Sequence, residues 1–147
     1  MKLVIQRVRQ ASVTVADQTV GQIGRGLCVL AGIAPSDTEA DLDKMAEKLA
    51  HLRIFEDTAG KMNLSVSDIG GAALIVSQFT LLADCAKGRR PSFVGAGDPA
   101  RAKELYLKFL DRVAGYGIPV EHGIFGADMQ VSLINDGPAT FILESPL

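Results

Sequence analysis

A chain of 147 residues, 48% hydrophobic and 22% charged, is long enough for one well-filled core and too short for two; it is not disordered. The net charge of −2 excludes a protein that coats nucleic acid along its whole surface, although a local basic patch remains open. The two cysteines, Cys28 and Cys85, are far apart, with no CxxC spacing and no Cys/His cluster. They indicate neither a metal site nor a disulfide framework, and no cofactor is called for.

The N-terminal MKLVIQRVRQ interleaves charges too closely for a signal peptide, and no apolar run reaches membrane-spanning length, so the expected setting is cytoplasmic. Lys2 to Arg9 alternates as a strand covered on both faces, and Ser12 to Ala16 is a second β-branched run. Turns at Asp17-Gln18 and Gly24-Arg25-Gly26 bound strands over Thr19 to Ile23 and Leu27 to Ile33. These four runs form a meander, with Cys28 a small core residue.

Ser36 and Glu39 have the spacing of a capping box. Leu42, Met45, Ala46, Leu49 and Leu52 then recur at helical spacing. His51 falls in the last turn of that helix, where an imidazole ordinarily caps or lies at the surface. After turns at Glu56 to Lys61 and Asp68 to Gly71, Ala72 to Val76 is an apolar run of buried-strand type. Phe93 to Gly97 reads as loop. Asp98-Pro99 opens a second helix as N-cap and first residue, with Gly115 in position to end it. Strands follow at Val120 to His122, Met129 to Ile134 and Ala139 to Glu144. Two helices and about nine strands predict a single α+β domain over 1–147. Its sheets should be curled, barrel-like and mainly antiparallel, with the helices packed outside.

Two stretches break this pattern. Ser77, Gln78 and Thr80 surround Phe79 where a core strand would stay apolar, and Asp84 leads into a loop with Lys87, Arg89 and Arg90. Unpaired polar groups at such positions cost about 1–3 kcal/mol each on mutational scales, so the stretch lines a site or is a half-exposed strand. On a regular strand Gln78 and Thr80 share one face and Ser77 and Phe79 the other. The second stretch is Asn135-Asp136-Gly137-Pro138. Asp-Gly between strands signals a hairpin turn, yet Pro138 removes an amide that the returning strand needs. A Gly137–Pro138 bond is one of the few that can be cis at modest cost.

Together these segments resemble the D-aminoacyl-tRNA deacylases. The resemblance rests on Ser77-Gln78-Phe79-Thr80-Leu81 and Asn135-Asp136-Gly137-Pro138-Ala139-Thr140. Ile5-Gln6-Arg7-Val8, Leu52-Arg53-Ile54-Phe55, Arg90-Pro91-Ser92-Phe93 and Phe125-Gly126-Ala127 with Met129 carry it over nearly the whole chain. Ala139 departs from the usual Val. The resemblance implies hydrolysis of the ester joining a D-amino acid to the terminal ribose of tRNA, with L-aminoacyl-tRNA rejected. Glycyl-tRNA, including glycine mischarged on tRNA-Ala, is implied as a further substrate. Also implied is a homodimer in which a cis Gly137–Pro138 unit, oriented by Arg7, enters the partner's site beside Ser77 to Thr80. Phe125 and Met129 would complete substrate binding, and Lys87, Arg89 and Arg90 would take tRNA phosphates or serve only as a solvated loop.

A hydroxyl nucleophile needs a base within hydrogen-bond reach, and the motifs supply none for Thr80. The neighbouring ribose hydroxyl is the better expectation for activating water, with backbone amides near Phe79 and Thr80 as oxyanion hole. Two other classes compete: a hydrolase using Cys85 with His122 as base, and a non-catalytic tRNA-binding or editing accessory module.

Overall fold

The computed structural model describes residues 1–147. The two N-terminal β-branched runs form one strand, β1 (Lys2–Val15), where two were expected. Ala16 and Asp17, with φ of 47° and 62°, make a tight turn into β2 (Gln18–Ile23), which pairs with the second half of β1. β3 (Gly26–Gly32) returns along the first half of β1. The meander therefore has three strands.

The first helix, α1 (Glu39–His51), is capped by Thr38 and Asp41, not by Ser36 and Glu39. Asp41 Oδ2 accepts from the Thr38 N–H at 2.9 Å, and the Asp41 N–H donates back to Thr38 Oγ1 at 3.4 Å. The start is displaced because Asp37 is drawn inward. Its buried carboxylate accepts from the Ala34 N–H at 2.6 Å and pairs with the Met1 α-ammonium. His51 ends the helix at the surface, as expected, with Nδ1 2.9 Å from the Glu47 carbonyl and its ring edge-on to Tyr116.

A small hairpin of β4 (Phe55–Glu56) and β5 (Met62–Leu64) precedes β6 (Ala72–Ser77). The second helix, α2 (Pro99–Ala114), begins at the expected Asp98, whose carboxylate accepts from the Ala100 and Arg101 amides. Gly115 keeps a right-handed φ of −60°; the left-handed residue beyond the helix is Gly117, at 77°. β7 (Val120–His122) and β8 (Gln130–Glu144) complete the chain. β8 is one continuous strand, although its pairing with β1 is interrupted between Asn135 and Thr140, as the sequence led one to expect.

The main sheet has the order β2-β1-β3-β6-β7, with β8 along the other edge of β1. β6 is parallel to both β3 and β7, whereas β1 is antiparallel to all its partners. The sheet is thus mixed but mainly antiparallel, nearly closed and barrel-like. β3 and β6 are buried on both sides. Leu27, Val29, Ala73 and Ile75 meet the helices. Cys28, Leu74 and Val76 face inward with Val8, Ala11 and Val13 of β1. Burial pushes the Cys28 thiol up to about 11, as befits an inert core residue.

Exposed carboxylates tie the periphery. Lys108 and then Arg112 of α2 hold Glu39 below its ordinary value, Thr38 does so for Asp41, the Lys61 amide for Asp57, and the Ser65 amide for Asp68. A depressed carboxylate contributes stability that is present above its unfolded pKa of about 4 and is lost as pH falls through the lower folded value. The urea midpoint is therefore expected to hold between pH 7 and 5 and to drop below pH 4. A midpoint unchanged down to pH 2.5 would contradict these pairings.

Candidate active site

β6 stays in register with β3 as far as Ser77, opposite Ala31. The Gln78 N–H still donates to the Ala31 carbonyl at 2.8 Å, and the chain then winds into a 3-10 turn over Phe79–Leu82. This corrects the expected strand through Thr80, so the alternation of faces does not apply beyond Ser77. The turn folds over the end of β3, where Gly32 makes room: a Cβ there would lie 3.0 Å from the Gln78 carbonyl oxygen and 3.3 Å from Leu81 Cβ. Beneath, the Tyr106 hydroxyl of α2 donates to the Ile75 carbonyl at 2.7 Å. Burial raises that hydroxyl's pKa well above its ordinary value and keeps it a donor.

The winding opens a cavity of about 260 Å³. Ser77, Gln78 and Phe79 form one wall, and Phe125 and Met129, from the approach to β8, form another. The structure thus brings together five of the expected site residues. Thr80 is not among the lining residues; it is exposed, with its Oγ1 accepting from the Gln78 side-chain amide. The lining contains no histidine, cysteine or carboxylate. Cys85 is exposed on the basic loop, and His122 on β7 has Nδ1 2.7 Å from the Gly123 carbonyl. The amides of Phe79 and Thr80 open the 3-10 turn and so have no carbonyl partner within it.

Arg7, Gly137 and Pro138 lie elsewhere, and none lines the cavity. Between Gln6 and Val8, β1 contributes only Arg7 while β8 contributes four residues, Asp136 to Ala139, making an enlarged bulge. The Gly137–Pro138 bond in it is cis, and both residues are exposed. Arg7 is buried beneath. Its Nε donates to the Asp136 carbonyl at 2.9 Å and its Nη1 to the Ile54 carbonyl at 2.7 Å. Asn135 closes the bulge: its Nδ2 donates to the Arg7 and Ala139 carbonyls, and its Oδ1 accepts from the Ala139 N–H. These bonds replace the ladder that the bulge interrupts. Asn135 belongs to the C-terminal motif, but its role is visible only when both arms of the bulge are seen together. Ala139 is buried, with its Cβ turned toward Gly137.

A family model described as D-Tyr-tRNA(Tyr) deacylase matches residues 4–144. The chain belongs to this deacylase family. Among its relatives, a D-aminoacyl-tRNA deacylase of Geobacter sulfurreducens is 59% identical over 145 residues, covering 99% of this chain and 95% of the relative. One from Desulfitobacterium hafniense is 56% identical, covering 99% and 97%. A solved structure named c-Myc DNA Unwinding Element Binding Protein superposes with a TM-score of 0.93 at 44% identity over the full length of both chains. A probable eukaryotic D-amino acid tRNA deacylase shares the fold, with a TM-score of 0.84 at 21% identity over 97% of both chains. Membership in the deacylase family makes the chain a hydrolase.

Proposed function

We propose that this deacylase cleaves the ester between a D-amino acid and the 3′-terminal ribose of tRNA, releasing both, and that it rejects L-aminoacyl-tRNA. The observation that carries this reading is the cavity beside Ser77, Gln78 and Phe79, whose lining has no imidazole, thiol or carboxylate and which adjoins the start of the 3-10 turn, where the Phe79 and Thr80 amides have no carbonyl partner within the turn. Such a site suits a substrate that brings its own activating group. The ribose hydroxyl next to the ester positions or activates water, and the Phe79 and Thr80 amides receive the developing oxyanion. Ser77, Gln78 and Thr80 hold the ribose and the turn, Phe125 and Met129 enclose the aminoacyl end, and Lys87, Arg89 and Arg90 take phosphates. Glycyl-tRNA lacks a side chain to exclude and is accepted as well.

The working enzyme is a homodimer in which Gly137–Pro138 of each subunit enters the other's cavity and excludes an L side chain. Three features support this. The Gly137–Pro138 unit is exposed, rigidly held by Arg7 and Asn135, and outside its own subunit's cavity. β8 pairs only with β1, leaving its outer edge open. Ile134 and Ile142 on it are 49% and 64% exposed. No helix is long and apolar enough to cross a membrane, and we place the enzyme in the cytoplasm with its tRNA substrate.

The deciding experiment is turnover on D-Tyr-tRNA, L-Tyr-tRNA and Gly-tRNA. Hydrolysis of the first and third with the second left intact is expected, and it should survive thiol alkylation. Binding of tRNA without turnover would instead indicate an accessory module. Loss of activity on alkylation would indicate a thiol hydrolase built on Cys85.

A further inference from the structure

We infer that Phe93 and Val94 form a stacking shelf for the nucleotide immediately 5′ of the terminal adenosine, a subsite outside the cavity; this rests on the aminoacyl-tRNA reading above. The cavity's volume of about 260 Å³ falls just below the usual range of small-molecule pockets, ~300–1,000 Å³. It has room for the reacting end of the substrate, and the chain leading to that end has to lie across the rim.

The rim has an apolar surface on one side of the cavity. Phe79, which lines the mouth, is 56% exposed, and Phe93 packs on it with ring centroids 5.2 Å apart at 57°. Val94 beside it is 95% exposed. Contiguous apolar surface of this kind on a soluble domain marks a binding site.

The shelf is also held in place. Asp84 and Ser92 exchange two backbone hydrogen bonds of 2.9 Å, closing the stem of the basic loop immediately before Phe93. The Phe93 carbonyl accepts from the Ala96 N–H at 2.9 Å. Gly97 abuts Pro35 so closely that a Cβ would lie 2.6 Å from its ring. Little ordering is therefore needed on binding.

The charge nearby selects the occupant. Lys87, Arg89 and Arg90 are exposed on the loop that this stem closes, and none forms a salt bridge. An aromatic face beside unneutralised cations is the combination that binds single-stranded nucleic acid, bases on rings and phosphates on cations. The 3′ end of tRNA is single-stranded, so the base next to the terminal adenosine is free to stack.

The test compares the wild type with Phe93→Ala and Phe93→Trp on two substrates, D-Tyr-tRNA and the mononucleoside ester D-tyrosyl-adenosine, which is too short to reach the shelf. For Phe93→Ala the ratio of kcat/KM on tRNA to that on the nucleoside ester is expected to fall about 5- to 100-fold, through KM, with Phe93→Trp restoring it. An unchanged ratio overturns the shelf, whether both activities persist or both fall together. In parallel, anisotropy of a labelled oligonucleotide ending in cytidine-cytidine-adenosine should show weaker binding to Phe93→Ala at unchanged oligomeric state. Equal binding, or a shift in oligomeric state, overturns the proposal. If the wild type hydrolyses neither ester, the deacylase reading fails, and the anisotropy still decides the shelf.

Discussion

D-aminoacyl-tRNA ending in 2′-deoxyadenosine, esterified at the 3′ position, should be hydrolysed at least about 100-fold more slowly than its ribose counterpart, whereas Thr80→Ala should cost less than about tenfold. A positioned general acid or base contributes about 10²–10⁴-fold to such reactions, and the group that supplies it is the one whose removal is felt. In this protein the cavity lining has no titratable side chain that could act as base. Thr80 does not replace one. Its hydroxyl oxygen accepts from the Gln78 amide and has no imidazole or carboxylate to take its proton. Removing it leaves the 3-10 turn and its backbone amides standing, because the turn is closed by the Leu81 and Ala83 amides on the Gln78 and Thr80 carbonyls. Single-turnover rates on the two tRNAs and the two proteins give the comparison directly. A loss in Thr80→Ala that matches or exceeds the deoxy effect would make the threonine a nucleophile and reverse the assignment.

Gly137→Ala should abolish most activity without unfolding the chain. Gly137 has a φ of +132°, which L residues rarely adopt, and an added Cβ would meet Arg7 Nη2 at 2.8 Å and the Ala139 nitrogen at 3.1 Å. Arg7 cannot yield freely, because its guanidinium is committed to the Asp136 and Ile54 carbonyls. The backbone strain is on the order of 1–3 kcal/mol. That lowers Tm by roughly 3–10 °C in a domain of this size. The functional effect should be larger: a fall in kcat/KM for D-Tyr-tRNA of about 100-fold or more, since misplacement of a group by about 1 Å can cost 10²-fold. Circular dichroism and a melting curve separate this from global unfolding. Wild-type rates and wild-type discrimination between D- and L-Tyr-tRNA in a folded Gly137→Ala protein would remove Gly137 from the site.

Much of the fold was legible because burial leaves a periodic trace. Both helices were readable from their apolar stripes, and Asp98-Pro99 marked the second start. The first start was not, because the choice between Ser36 and Thr38 is made by Asp37, whose partners Met1 and Ser145 come from the two ends of the chain. The candidate site stood out as a break in pattern at Ser77 to Thr80, but its shape was not legible. Alternation assumes a continuing strand, and the 3-10 turn depends on the room that Gly32 leaves on a different strand. Likewise Arg7 reads as one more residue of an alternating run. Its role depends on a register in which β8 spends four residues against one, and register between distant strands leaves no local signature.

The two backbone bonds between Asp84 and Ser92 separate the basic loop from the frame of the cavity. Residues beyond that stem can change in length or charge at a small entropic cost, since doubling a loop adds only about 0.6 kcal/mol. The site is therefore modular. Length and charge can drift at the loop's tip while the frame of the cavity at its root stays fixed.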